Sequence, residues 1–164
     1  MDFGLFEKHG SPDNWTTIAG GDGAYNAIDP DNSSIMYSSY TYISIRRHNI
    51  TVDNETTGAI SNSSGRISSG IDTSTYGKGS FINPFILDPN NSSKMYTATK
   101  ALWRSDNVKA ASTSDVTWTN LGTFDGSNSG FEITIAPSNS KVMYVGVGSY
   151  NTSFYRILNP ADGP

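Results

Sequence analysis

The sequence predicts an all-β fold built from repeated antiparallel sheets, and two observations lead to that prediction. One stretch occurs three times along the chain of 164 residues, and each copy has a proline near its start and Met-Tyr at its end. The copies are residues 28–37, 87–96 and 135–144. Apolar runs lie on both sides of the proline segment in every copy, which is typical of two strands joined by a turn.

The proline segment of each copy has the composition of a tight turn. Proline fixes its own φ angle, and the Asn, Asp and Ser side chains beside it hydrogen-bond the nearby backbone. Asp29 and Asp88 precede the proline in the first two copies, whereas the third copy has Ala136 there. Because a residue that recurs from unit to unit usually serves the fold, we interpret both aspartates as structural.

Two further strands complete each unit. A third apolar run follows Met-Tyr and ends in arginine, at Arg46, Arg104 and Arg156. A fourth strand, in which Trp and Thr alternate, is predicted around Trp15 and Trp118. Four short strands in a unit of about 50 residues match the size of a β-propeller blade. The sequence therefore predicts a partial β-propeller built of four-stranded antiparallel blades, and a β-sandwich whose strands share a turn is the alternative.

The repeat assigns the whole chain, residues 1–164, to a single partial propeller. We interpret residues 1–23 as blade remnants, followed by unit one at 24–50, unit two at 81–121 and unit three at 131–158. The polar segment 51–80 is predicted to be mostly loop, with an outer strand near residues 65–68. Residues 159–164 are expected to be a truncated end.

Three blades are fewer than the four to eight that close a propeller ring. We therefore expect both ends of the chain to be cut inside a repeat. The remaining blades are expected either from a longer parent chain or from self-association of this one.

Composition and charge exclude several functional classes. The net charge is −4 and only 16% of residues are charged, so the clustered cations that nucleic acid binding needs are absent from the sequence. The chain has no cysteine, which excludes disulfides, thiolate nucleophiles and cysteine-based zinc sites. No apolar run is long enough to span a membrane. Residues 1–10 lack the basic and then apolar pattern of a signal peptide.

These repeats resemble the BNR or Asp-box β-propellers of the sialidase-like and sortilin-like superfamily, over nearly the whole chain. The box of that family, Ser-x-Asp-x-Gly-x-Thr-Trp, is similar to Ser105-Asp106 followed after an interruption by Thr117-Trp118, and Asp162-Gly163 resembles a second box. The line from Trp15 through Gly20-Gly21-Asp22-Gly23 to Asp29-Pro30 and Met36-Tyr37 resembles a subgroup of bacterial propellers. The resemblance implies a parent protein that is exported or displayed at the cell surface.

The same resemblance includes glycoside hydrolases of the sialidase and xyloglucanase kinds, which need two carboxylates or a Tyr–Glu pair across a cleft. Asp22, held between glycines, is the best catalytic candidate, and the alternative is a tight turn capped by an aspartate. Sialidases hold a carboxylate with three arginines, so Arg46, Arg104 and Arg156 are the candidates for ligand binding. The alternative is that these arginines pack their stems and pair locally.

The other aspartates and the histidines are interpreted as structural residues and not as catalytic or metal-binding ones. Asp106 and Asp115 belong to the interrupted box and are interpreted as structural. His9 and His48 are the two histidines of the chain, and they lack the spacing of metal ligands. No cofactor is predicted, although calcium is an option at the Asp-rich turn of residues 29–32.

We expect a non-catalytic scaffold or binding module, part of a larger BNR-repeat protein, that takes a protein or carbohydrate ligand. A fragment of a glycoside hydrolase is the alternative.

Overall fold

The computed structural model describes residues 5–8, 15–23, 25–54, 59–125, 129–148 and 151–160. The described chain is all-β, as the repeat predicts, with one short α-helix at Thr73–Tyr76 and one 3-10 helix at Thr113–Asp115. Thirteen strands are described, and in chain order they are β1 (Leu5–Lys8), β2 (Trp15–Ala19), β3 (Asn26–Asp29), β4 (Asn32–Ser39), β5 (Ile45–Asn54), β6 (Ala59–Arg66), β7 (Phe85–Asp88), β8 (Asn91–Ala98), β9 (Ala101–Ser105), β10 (Thr119–Thr123), β11 (Gly130–Ala136), β12 (Asn139–Val147) and β13 (Ser153–Leu158).

The strands form four antiparallel sheets in which each strand pairs with its neighbour in sequence. β1 and β2 form a two-stranded sheet. Blade one contains β3, β4, β5 and β6, and blade two contains β7, β8, β9 and β10. Blade three has β11, β12 and β13 among the described residues. This arrangement confirms the prediction of antiparallel blades, and the described blades form an arc without closing into a ring.

The polar segment after unit one differs from its prediction. Residues 51–80 were predicted to be mostly loop, but β5 continues to Asn54 and β6 covers Ala59–Arg66. Most Ser and Asn side chains of β6 are exposed, because this strand lies at the outer edge of the sheet. A strand at an outer edge needs no alternation of apolar residues. The sequence therefore placed the outer strand near residues 65–68, whereas it covers Ala59–Arg66.

The Met-Tyr dipeptide of blade two connects that blade to both of its neighbours. Successive side chains of a strand point to opposite faces of the sheet. Met95 therefore packs with Tyr37 in a core between blades one and two, and Met143 packs with Tyr96 in a core between blades two and three. Met95 and Met143 thus face the preceding blade, and Tyr37 and Tyr96 face the following one, so the repeat encodes face-to-face stacking.

Two apolar cores fill the two interfaces. The core between blades one and two contains Tyr37, Ile43, Ile45, Ile67, Phe85, Met95, Trp103 and Val116. The core between blades two and three contains Tyr96, Leu102, Leu121, Phe124, Ile133, Ile135, Met143, Val145 and Ile157. Each interface thus buries apolar side chains of the two blades that form it, which is the main source of stability for stacked sheets.

The first strands of the blades lie together at one inner edge. Tyr25, immediately before β3, donates a hydrogen bond to Glu132 of β11 at 3.2 Å. Ser80, ahead of β7, donates to the carbonyl of Gly130 at 3.0 Å. Burial raises the pKa of Tyr25, and the neighbouring Glu132 carboxylate raises it further. Segments of all three blades therefore meet at this edge.

The recurring proline turn also joins each blade to the next. Ser92 and Ser140 occupy the same position of the repeat, and each hydroxyl bonds a carboxylate in the turn of the preceding blade. Ser140 Oγ lies 2.5 Å from Oδ1 of Asp88, and Ser92 Oγ donates to Oδ2 of Asp31. Asp88 Oδ1 also accepts the backbone N–H of Asn90 at 2.9 Å, which closes its own turn. These bonds support the structural interpretation of the repeated aspartates.

Asp29 has a second partner across the same interface. Its carboxylate is buried, and Nζ of Lys109, from the connection between β9 and β10, lies 2.6 Å from Oδ2. Burial by itself would raise the pKa of Asp29, but Lys109 and the backbone N–H of Asp31 outweigh burial and lower the pKa. Lys109 thus supplies the positive charge for the Asp-rich turn that sequence analysis considered for calcium.

We expect Ser140→Ala to lower the free energy of unfolding by about 1–3 kcal/mol, because a hydrogen bond to a buried carboxylate is lost. Ser33→Ala is the matched control, since Ser33 has the same repeat position but is exposed and has no side-chain partner among the described residues. The control should change stability by less than about 0.5 kcal/mol. Urea unfolding followed by tryptophan fluorescence measures both, and equal losses would contradict the contact between blades.

We expect Lys109→Met to cost about 2–3 kcal/mol, because it leaves the buried Asp29 carboxylate without its cation. Tyr37→Phe, at the same interface, should be nearly neutral, because the Tyr37 hydroxyl is buried without a hydrogen-bond partner among the described residues. Thermal unfolding of both variants checks the pair. A Lys109→Met protein as stable as Tyr37→Phe would show that the ion pair does not stabilise the interface.

Candidate functional site

A polar cleft lies on the face of blade one that points away from blade two. It has a volume of about 360 Å³ and lies between the glycine loop of residues 20–23 and the sheet. The side chains that line it include Tyr25, Ser38, Tyr40, Ser44, Arg46, His48 and Ser64. Ser38, Arg46, His48 and Ser64 share one face because cross-strand pairing and the period of two bring them to the same side. The cleft is therefore built by strand register.

His48 forms the floor of the cleft and is fully buried. Its Nε2 lies 2.8 Å from Ser38 Oγ, and its Nδ1 lies 3.3 Å from Asn62 Nδ2, which also donates to the carbonyl of Ile18 at 3.1 Å. Because an amide nitrogen can only donate, Nδ1 accepts and Nε2 carries the proton that it donates to Ser38. Burial lowers the pKa of His48, so the ring is neutral near pH 7. Both nitrogens are engaged, and the ring holds the cleft in shape.

Arg46 gives the cleft a positive charge. Its side chain is exposed, and its guanidinium donates one long hydrogen bond, 3.4 Å, to Ser64 Oγ. Arg66 lies directly opposite Arg46 on β6, so two guanidiniums share this face. Within the described ranges no carboxylate forms an ion pair with either arginine. The Arg46 guanidinium is therefore available to a ligand from solvent.

The glycine loop forms a wall of the cleft together with Tyr40. Gly21 has φ of 100°, a conformation that favours glycine, and a β-carbon at Gly21 would overlap the Tyr40 ring. The loop backbone can lie against the ring only because residue 21 has no side chain. The ring of Tyr40 remains partly exposed and offers an aromatic surface beside the hydroxyls and the guanidinium.

Asp22 lies in this loop, but the cleft takes Gly20 and Gly23 from the loop and not Asp22. No carboxylate is among the residues that line the described cleft. The two-carboxylate arrangement of a glycoside hydrolase would need two such groups across one cleft. The catalytic role considered for Asp22 stays a prediction.

The arginines that were grouped from the sequence do not occupy equivalent positions. Strand register places Arg104 opposite Tyr96 and Arg156 opposite Tyr144, and the residue opposite Tyr37 is Arg47. Arg46 points to the other face of blade one, so its inclusion in the repeating set was wrong. In blade one the equivalent arginine lies one residue later than Arg46. A shift of one residue along a strand moves the side chain to the opposite face of the sheet.

The equivalent arginines hold neighbouring blades together. Arg47 is buried and donates to the carbonyls of Val108 at 2.8 Å and Ala110 at 2.7 Å in blade two. Arg104 donates to the carbonyl of Pro160 at 3.3 Å, just after blade three, and to Asp106 at 3.0 Å. Arg47 and Arg104 therefore act at two different interfaces, and the three predicted arginines do not form one cluster.

The interrupted box after β9 is closed by a residue that sequence analysis did not single out. Oδ1 of Asn107 accepts the backbone N–H of Thr117 at 2.9 Å, and its Nδ2 donates to the carbonyl of Asp115 at 2.9 Å. Asn107 N also donates to Ser105 Oγ at 3.3 Å. Asp106 instead pairs with Arg104 and, at 3.8 Å, with Lys94. Asn107 thus connects the two ends of the loop by hydrogen bonds. The second resemblance to the box, Asp162-Gly163, lies outside the described residues.

The residues missed by sequence analysis carried different amounts of signal. Ile45 and Arg47 share one face of β5, so counting two residues on from the apolar Ile45 would have identified Arg47 in place of Arg46. Lys109 and Asn107 lie in a polar insertion with no periodicity, so no pattern marked them. The structural role of His48 at the floor of the cleft is visible only from its burial and its hydrogen bonds. His9 lies outside the described residues.

We expect the free energy of unfolding to fall as the pH drops from about 7.5 to about 5, in part because of His48. The folded state has a His48 pKa below the ordinary value of 6.5, so the unfolded chain binds more protons in this range. His48→Gln should reduce the slope, measured by urea unfolding at several pH values. An unchanged slope in this variant would contradict the buried neutral ring.

The described residues contain no group of three or more His, Cys, Asp or Glu side chains that could hold a metal ion. In the same ranges no helix is long and apolar enough to cross a membrane. Comparison with protein-family models, with curated proteins and with solved structures found no match to this chain.

Proposed function

We propose that this chain is a non-catalytic scaffold and binding module of the BNR-like propeller kind, with its ligand site in the cleft of blade one. The proposal rests on a contrast between charged groups that are bonded within the fold and Arg46, which faces the cleft. Asp29, Asp88, Arg47 and Arg104 are engaged in turns and blade interfaces. Arg46 lines the cleft, is exposed and has no carboxylate partner within the described ranges.

The loop after β9 supports the BNR-like part of the proposal. The order Ser105, Asn107, Thr117, Trp118 follows the order of the Asp box, with Asn in the place of Asp and an insertion before Thr. Asn107 connects both ends of this loop by hydrogen bonds, as a box residue at a hairpin turn would. The Trp118 indole donates to the carbonyl of Ile67 at 2.7 Å and so fixes the following strand against blade one.

The chemistry of the cleft favours a carbohydrate ligand. An aromatic ring beside several hydroxyls offers both an apolar surface for the C–H face of a sugar and donors and acceptors for its hydroxyls. Tyr40 supplies the ring, Ser44 and Ser64 the hydroxyls, and Arg46 a charged donor. A parent protein that is exported or at the cell surface, as the BNR resemblance implies, would bring such a module into contact with glycans.

We expect the chain to bind at least one class of glycan on an array, and Arg46→Ala to weaken that binding by about tenfold, as the loss of one charge-assisted hydrogen bond predicts. Arg66→Ala is the matched control, because Arg66 shares the face without lining the cleft and should change affinity by less than about threefold. Titration calorimetry of the best glycan measures both variants.

Two results would contradict this function. Equal loss of affinity in both variants would show that only general positive charge matters. Turnover of fluorogenic sialosides or xyloglucan that Asp22→Ala abolishes would favour the glycoside hydrolase alternative.

A further inference from the structure

The outer face of blade three carries large apolar side chains that are open to solvent. Tyr144 is 44% exposed, Phe154 71% and Leu158 54%. These three side chains share one face, because Val142 pairs with Leu158, Tyr144 with Arg156 and Gly146 with Phe154 along β12 and β13. Large exposed apolar side chains grouped on one face in this way mark an interaction surface.

The same positions are buried wherever another blade follows. Tyr144 corresponds to Tyr37 and Tyr96, which are 0% and 2% exposed. Phe154 lies opposite the second residue after this tyrosine, the position of Ile45 in blade one and of Leu102 in blade two. Ile45 and Leu102 are 1% and 0% exposed. The outer face of blade three is therefore the next member of a series of interfaces that the structure shows twice.

Arg156 extends this correspondence to the polar contacts. Arg47 and Arg104, which lie opposite the repeated tyrosines, each reach the same backbone position of the following blade, the carbonyl of Val108 or of Pro160. Arg156 lies opposite Tyr144, is exposed and has no hydrogen-bond partner within the described ranges. Its guanidinium is thus placed to donate to a backbone carbonyl of a further blade.

We propose that the outer face of blade three is the docking surface for a further four-stranded blade of this repeat. That blade presents a methionine at the position of Met95 and Met143, to pack on Tyr144 and Phe154. It also presents a loop carbonyl at the position of Val108, to accept from Arg156. The proposal rests on the stacking of the blades and is independent of any ligand in the cleft.

Ala136 specifies one contact that this interface lacks. It occupies the position of Asp88, whose carboxylate accepts from Ser140, and Ser138 occupies the position of Asp31, whose carboxylate accepts from Ser92. Neither Ala136 nor Ser138 offers a carboxylate, so the docked blade needs no serine at the position of Ser92. Docking at this face therefore depends on apolar burial and on Arg156.

A second copy of this chain fits the surface poorly through its blade one. In blade one the position of Val108 is taken by Thr51, which lies inside β5 and pairs with Ser61 of β6, so no loop is present there. Met36, at the position of Met95, is already buried within the chain. The matching features are those of blade two, which follows another blade in the same manner.

The test supplies such a blade from the chain itself. A copy of residues 79–125, which contains blade two, is appended after Pro164 through a flexible Gly-Ser linker. We expect amide hydrogen exchange in β12 and β13 to become about tenfold slower than in the original chain. Tyr144→Ser with Phe154→Ser in the extended chain should return the exchange rates to those of the original chain.

The matched control is Tyr42→Ser with Phe81→Ser, an exposed aromatic pair with ring centroids 5.5 Å apart outside this face. It should leave the slower exchange unchanged. Exchange in β12 and β13 that does not slow in the extended chain overturns the proposal, even if the appended copy is unfolded. The reason is that blade three is itself folded with its outer face open, so one interface is enough for a blade, and failure of the copy to fold means that blade three does not supply that interface.

Sedimentation equilibrium of the original chain tests whether a second copy of the chain occupies this face. A monomer supports the proposal. Self-association that Tyr144→Ser with Phe154→Ser abolishes would assign the face to a second copy and overturn it. Glycan binding in the cleft of blade one should be the same in the original and extended chains, so failure of one proposal can be told from failure of the other.

Discussion

The structure depends on one constraint, that a sheet with two apolar faces must be covered on both sides. Blade two meets it by placing Met95 against blade one and Tyr96 against blade three. The two residues are adjacent in sequence and point in opposite directions, so one dipeptide serves two interfaces. The turn carboxylates and the arginines make this stacking directional. In each contact a group of one blade bonds a group in or just after the following blade.

The architecture was predictable from the sequence because local pattern and stacking agree. The Met-Tyr repeat, the proline turns and the third apolar run place the first three strands of each blade. Strand β6 could not be placed in the same way, since an outer edge strand with exposed Ser and Asn side chains has no apolar period to detect. Where burial on one face is absent, sequence carries little information about register.

The candidate site was predictable only in part. Arg46 was named as a ligand-binding candidate, and it lines the cleft, but it was named as a member of a repeating set to which Arg47 belongs. The floor at His48 and the glycine loop against Tyr40 depend on contacts between distant segments, which no single run of residues reveals. Residues that differ between blades build the cleft, whereas residues that repeat build the stack.

Blade two separates the two apolar cores, and the Tyr25–Glu132 hydrogen bond also joins blade one to blade three directly. Stability in such a chain is close to a sum of unit and nearest-neighbour terms, as in other repeat proteins. The Asp88–Ser140 contact lies between blades two and three, whereas His48 and Arg46 line the cleft of blade one. Tyr25, which also lines that cleft, is a direct link to blade three through Glu132. A modular chain of this kind can gain, lose or exchange terminal units during evolution without rebuilding the units between them.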